Sequence, residues 1–194
     1  MPSIINSDSG ATSGSAGFKF AAADDGILEI QNSGNTAISI SPEGIATFAQ
    51  PPLTAIPTFS INRSSSAQNI TSGVATKVQL NNIVFDSNNY WDSQNHRYTP
   101  QIAGYYYFFG TVYIQGLSVT GIEAFIYKNG SVLSLGPYII SGSTSDLITA
   151  SVQVVSYMNG TSDYVELYGL SNGTNPTFLN SPATFFSGFL VRAA

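Results

Sequence analysis

The chain has no cysteine, one histidine and one tryptophan among 194 residues. Without cysteine there is neither a disulfide framework nor a thiolate metal site. The single histidine, His96, cannot build an imidazole-rich metal centre within one copy. It is also the only imidazole base available to a Ser-His-Asp arrangement. Its surroundings, Asp92-Ser-Gln-Asn-His-Arg-Tyr98, are polar and turn-like, so His96 is expected in a solvated loop. Charge is scarce as well. Charged residues make up 9% of the chain, against about a quarter in ordinary globular domains. The six Lys and Arg are spread singly, which leaves no electrostatic footprint for a nucleic acid. No apolar run reaches 18 residues, so no membrane-spanning helix is expected. Residues 1–17 lack the basic and apolar regions of a secretion signal, which points to synthesis and assembly in a cytoplasm.

Signals of chemistry are also missing. No glycine run opens a helix as a phosphate loop would, and no cofactor is expected. The carboxylate pairs Asp24/Asp25, Asp86/Asp92, Asp146/Asp163 and Glu123/Glu166 carry no spacing that marks an acid and a nucleophile. Five Asn-x-Ser/Thr sequons occur, at Asn62, Asn69, Asn129, Asn159 and Asn172. Three of them are Asn-Gly pairs, which turn chemistry explains without glycosylation. No catalytic residue and no metal site is assigned, and the chain is read as non-enzymatic.

What is present is apolar and aromatic: 43% hydrophobic residues, with 11 Tyr and 12 Phe. A chain so poor in charge is expected to hide much of its surface in an assembly. Residues 1–17 are rich in Ser, Gly, Asn and Ala and read as a flexible arm, since they cannot offset their own ordering entropy. Residues 18–49 hold short strand-like runs separated by turn signals: Phe18-Lys-Phe20, Ile27-Leu-Glu-Ile30, Ala37-Ile-Ser-Ile40 and Ile45-Ala-Thr-Phe48. So small a β segment is marginal alone and reads as an anchor. Three prolines in residues 50–57 deny helix and sheet donors and mark an extended linker.

Residues 58–194 read as a single β domain. Candidate strands fall at 58–63, 77–80, 98–102, 105–115, 121–128, 131–135, 146–158, 164–170 and 185–192, and no stretch shows a helical period. Asn129-Gly130 and Asn159-Gly160 sit between apolar runs and predict hairpins. Asn172-Gly173 opens a longer loop containing proline. Many short antiparallel strands at this spacing mean a sandwich, barrel or jelly roll.

One strand dominates this domain. After Gly104 come Tyr105, Tyr106, Tyr107, Phe108 and Phe109. Side chains alternate between the faces of a strand, so Tyr105, Tyr107 and Phe109 point one way and Tyr106 and Phe108 the other. A sandwich strand has one face on the core and one in water. Here both faces call for burial, which predicts that another copy of the chain covers the outer one.

Two resemblances sharpen these readings. The segment from Leu28 to Phe48, with its Gly34-Asn-Thr-Ala37 turn and closing Phe, resembles a phrase of tailed-phage fibre and other virion proteins. The later domain is similar to the globular head of complement C1q, one of the tumour necrosis factor-like jelly rolls. The matching signals are Phe59-Ser60, Ile83-Val-Phe-Asp86, Asn88-Asn89 before Tyr90-Trp91-Asp92, Tyr98-Thr99, Gly104-Tyr-Tyr-Tyr-Phe108, Lys128-Asn129-Gly130 and Phe186-Ser-Gly-Phe-Leu190. Gly160-Thr-Ser-Asp163 departs from the family's adjacent Gly-Asp pair. The resemblance implies a ten-stranded all-β jelly roll, assembled as a homotrimer, with the Gly-x-Tyr-x-Phe strand at the threefold interface. Tyr105, Tyr107, Phe109 and Phe186 are the candidate interface residues. The family's calcium-binding acids find no match by position, so no metal is carried over.

The expected function is structural: a trimeric phage virion protein that decorates or cements a capsid. Residues 1–50 would bind the major capsid protein or another virion protein. The alternative is a tail-fibre or fibre-tip adhesin that binds a host glycan or protein receptor. Tyr90, Trp91 and Tyr138 are the candidates for surface recognition. The expected location is the virion, assembled in the host cytoplasm, with no nucleic-acid contact and no membrane insertion.

Overall fold

The structure, a computed structural model, describes residues 28–32, 35–41, 43, 46–48, 56–140 and 147–194. The expected arm, the 18–20 run and residues 50–55 of the linker lie outside the described residues. The chain divides into two units, Met1–Thr54 and Ala55–Ala194. In the first, β1 (Leu28–Asn32), β2 (Asn35–Ile40) and β3 (Ala46–Phe48) form an antiparallel sheet in chain order. Leu28 lies opposite Ile40, and Ile38 opposite Phe48.

The second unit, the head, holds strands and no helix among the described residues. Its first strands are β4 (Thr58–Asn62), β5 (Gln68–Asn69), β6 (Thr76–Lys77), β7 (Asn82–Asp86), β8 (Trp91–Asp92) and β9 (Arg97–Tyr98). Then come β10 (Gly104–Leu117), β11 (Gly121–Lys128), β12 (Ser131–Leu135) and β13 (Ile139–Ile140). The last are β14 (Leu147–Met158), β15 (Val165–Ser171), β16 (Thr174–Phe178) and β17 (Phe185–Ala193).

These strands make two antiparallel sheets. The first is organised around β10. On one side β10 pairs with β14 along most of its length, from Gly104 opposite Met158 to Gln115 opposite Leu147. On the other side it pairs with β17 over its first half and β16 near its end. β4 and then β7 extend this sheet beyond β17. The second sheet runs β12-β11-β15-β9-β8, with β13 on β11 and β6 on β15.

The core lies between the sheets and is built on aromatics. Phe59 stacks on Tyr98 at 3.9 Å and meets Phe186 edge-on at 5.2 Å. Tyr106 and Phe108 stack nearly parallel at 5.9 Å. From the second sheet, Ile122, Ala124, Ile126, Val165 and Leu167 close the layer. Gly188 is needed where β17 crosses this cluster. A Cβ there would lie 2.7 Å from the Tyr107 carbonyl, 2.8 Å from the Phe108 ring and 2.9 Å from Phe59.

Several strands differ from the sequence expectations: β5, β7, β8, β13 and β16 fall outside the expected runs, and of the expected 98–102 only Tyr98 is strand. Residues 174–178, expected in a loop, form β16. Pro176 is tolerated because it falls in the gap where the β10 register slips between Gln115 and Leu117, away from a regular ladder donor. Conversely, of the expected 77–80 run only Lys77 is strand, as the second residue of β6. Val78 and Leu80 turn into the core instead.

Candidate assembly face

The outer face of the β10 sheet carries a row of exposed and half-exposed apolar side chains. On β10, Tyr106 and Phe108 are fully buried, while Tyr105 is 49% exposed and Tyr107 and Phe109 are half-buried. The alternation of the strand therefore splits the five aromatics as expected. Neighbouring strands continue the outward row. Tyr105 meets Tyr157 edge-on at 5.6 Å, Tyr107 lies 5.5 Å from Phe189, and Phe109 lies 5.5 Å from Phe185. Val155 and Phe85 are also about half exposed. Tyr107 donates its hydroxyl to Gln153 Oε1 at 2.7 Å, which fixes the ring.

The face is not flat. A groove of about 330 Å³ is lined by Thr58, Phe85, Tyr107, Phe109, Ser187 and Phe189, where the small residues leave room. A second hollow of about 360 Å³ lies across β14, lined by Phe109, Leu135, Pro137, Ser151 and Gln153. Phe109 borders both. The charged residue aligned with this row is Arg192, at its end opposite Tyr105.

Phe186, expected at the interface, belongs to the core. It has no exposed surface, because Phe185, Ser187 and Phe189 take the outward positions of β17 and leave Phe186 facing Phe59. Trp91 is likewise not a surface platform. It is 8% exposed and stacks on Phe59 at 6.3 Å. Its polar flanks are turns held by acids: Asp86 Oδ2 accepts the Trp91 backbone N–H at 2.7 Å, and Asp92 caps Gln94 and Asn95. Tyr90 is half-buried against the core, 6.1 Å from Tyr98.

Tyr138 does lie at the surface, 46% exposed. Its hydroxyl and the Asn172 amide are 2.7 Å apart, with the amide donating. The phenol end of the ring lies over Gly121, in space that any side chain there would occupy.

The acids serve structure. Glu166 is buried and pairs with Lys77 at 2.8 Å, and Tyr168 donates to its other oxygen at 3.4 Å. Burial first, then this carboxylate, pushes the Tyr168 hydroxyl up to about 12. Asp163 is bound by Lys128, Asn129 and the Asn159 backbone. Burial alone would raise its carboxyl; those three bonds outweigh it and hold the group below the usual carboxylate range. His96 turns its Nδ1 to the Leu80 carbonyl at 2.8 Å. Among the described residues no cluster of three metal-ligating side chains occurs.

Solved structures with the same arrangement are known. The globular domain of zebrafish complement 1qA matches 72% of this chain and 99% of its own length, at 18% identity and a TM-score of 0.53. Eiger TNF from S. frugiperda matches 72% and 94%, at 9% identity and 0.56. Murine APRIL matches 69% and 97%, at 13% identity and 0.51. The head has the jelly-roll fold of C1q and tumour necrosis factor. No family model matches the sequence, and comparison with characterised protein sequences returns no match.

Within the jelly roll, sequence reasoning missed β7, whose Ile83, Val84 and Phe85 are all about half exposed at the sheet edge. The signal was available, as three consecutive apolar residues between Asn82 and Asp86. It was absorbed into the apolar-Phe-Asp turn that the family resemblance suggested.

Proposed function

We propose that this chain is a homotrimeric, non-enzymatic virion protein of a tailed phage, anchored by residues 1–50 and presenting the jelly-roll head. The observation that carries the trimer is the outward row Tyr105, Tyr107, Phe109, Phe189, Val155 and Tyr157, an apolar surface no strand of the same chain covers among the described residues. A contact of the obligate kind buries on the order of 2,000 Å² or more. The two hollows beside Phe109 give the face the relief that a complementary subunit would fill. A ring of three closes on itself and stops assembly there.

The engagement of Glu166, Asp163, Asp92 and Asp86 in internal bonds supports a structural role over hydrolysis. The virion assignment is supported by the resemblance of the 28–48 segment to phage fibre proteins. Capsid decoration is the first reading. The fibre-tip alternative is favoured by the exposed, fixed Tyr138 ring.

Two measurements test this. Sedimentation equilibrium of the full chain is expected to give a trimer; a folded single subunit at micromolar concentration overturns the assembly. Quantitative mass spectrometry of particles then counts copies. Hundreds per virion mean decoration, a handful mean a fibre, and none removes the virion role.

A further inference from the structure

The ends of the head differ in chemistry. The head's chain enters beside Leu190, whose N–H bonds to the Pro57 carbonyl at 2.9 Å, and leaves at Ala193, opposite Gly104. Both termini therefore lie where β10 begins. β10 then runs 14 residues, roughly 45 Å, to the opposite end. That far end is assembled from residues 69–76, 114–121, 136–140 and 171–184. Backbone bonds join them: Asn172 to Gly121, Gly73 to Ser171, Ile70 to Pro176. None of these residues is Asp, Glu, Lys or Arg. Along these strands the next charges are Glu123 on β11 and Lys77 on β6. The described charged side chains that form ion pairs, Lys77, Asp92, Arg97, Lys128, Asp163 and Glu166, all lie outside this end.

Large apolar side chains are nevertheless exposed there. Leu117 is 59% exposed, Ile140 75%, Val74 50% and Tyr138 46%. Among them Tyr138 is held: Asn172 fixes its hydroxyl, and Thr120 Oγ1 donates to the Asn172 carbonyl at 3.1 Å. Exposed hydroxyls and amides of Ser118, Thr120, Asn172, Thr174 and Asn175 lie at the same end. A ring fixed in place, at an end that carries hydroxyls and amides and no charge among its described residues, matches the chemistry of an uncharged sugar. The C–H face of a pyranose stacks on an aromatic ring, while its hydroxyls need neutral donors and acceptors. An anionic glycan would find no cation among the described residues of this end, and a fixed ring binds without losing rotamer freedom.

We propose that this far end is a recognition site for a neutral polysaccharide, with Tyr138 as its stacking platform. The inference rests on the reading in which residues 1–50 anchor the chain and the head projects.

The test uses the full-length protein in native gels cast with dextran, mannan or galactan, beside gels with the anionic polymers alginate and polygalacturonate. At least one neutral polymer is expected to retard the protein, and the anionic ones not. Tyr138→Ala is expected to weaken the retardation about tenfold or more, while Tyr138→Phe, which keeps the ring, retains most of it. Bound polysaccharide is also expected to protect Tyr138 of the unaltered protein from nitration, read by peptide mass spectrometry. Retardation by none of the neutral polymers overturns the proposal, as does unchanged binding by Tyr138→Ala. So does retardation by the anionic polymers alone, or binding of the far end only to a host protein. Sedimentation and particle incorporation on the same preparations report separately on the trimer and virion reading.

Discussion

Lys128, Asn129 and the Asn159 backbone all donate to Asp163, which joins the β11–β12 turn to the turn after β14. Asn159 in turn accepts from the backbone N–H groups of Thr161, Ser162 and Asp163. Asp163→Asn is expected to lower stability at pH 7 by about 1–3 kcal/mol, since donors lose a charged acceptor; chemical denaturation measures it. The pH dependence has a definite sign. A carboxyl depressed in the folded state stabilises fully above its unfolded value and loses that contribution as pH falls through the folded one. The stability gap between wild type and Asp163→Asn should therefore narrow below about pH 4. An unchanged gap down to pH 2 counts against this role. Gly188→Ala tests the core from another side. Its methyl would meet a carbonyl and two rings that cannot move apart cheaply, so a loss of about 1–3 kcal/mol is expected, visible as a lower thermal midpoint. At this scale the sequence misled where local polarity and true position part company. Trp91 sits among polar neighbours, yet those neighbours are turn caps that leave the indole free to enter the core.

β10 was the most legible element, because five consecutive aromatics leave the two-residue alternation only one division. The same alternation gives a paired prediction. Tyr106→Asp places a charge in the sealed core and is expected to unfold the head. Tyr107→Asp, one residue on, lies on the outward face and is expected to leave a folded head that no longer associates. Circular dichroism and sedimentation on the two variants separate these outcomes; if both merely unfold, the outward row serves the single chain and not an assembly. β16 was not legible, because Pro176 argues against a strand until the slipped register beside Leu117 is seen. β14 illustrates how an edge is managed. Lys128 donates to its Tyr157 carbonyl at 2.6 Å and Ser134 to its Gln153 carbonyl at 3.2 Å, so side chains of the other sheet occupy groups that would otherwise invite a stray strand.

For the molecule as a whole, the division between Thr54 and Ala55 predicts separable duties. Deleting residues 1–50 is expected to leave a folded trimeric head that fails to join particles; a truncated protein still recovered with purified virions would contradict the anchoring role. The all-β class was legible from strand spacing and turn residues, and the head's jelly roll from its resemblance to the C1q head. The outline of the face was legible too, but not its two hollows, which arise from small residues on three different strands. The path of the chain has a practical corollary. Because the head's first and last residues sit together where β10 starts, a tag fused after Ala194 would, if residues 1–50 anchor the chain, be tethered at the anchored end of the head. Cargo meant for outward presentation belongs instead in the turn between Leu117 and Thr120, a strand's length away.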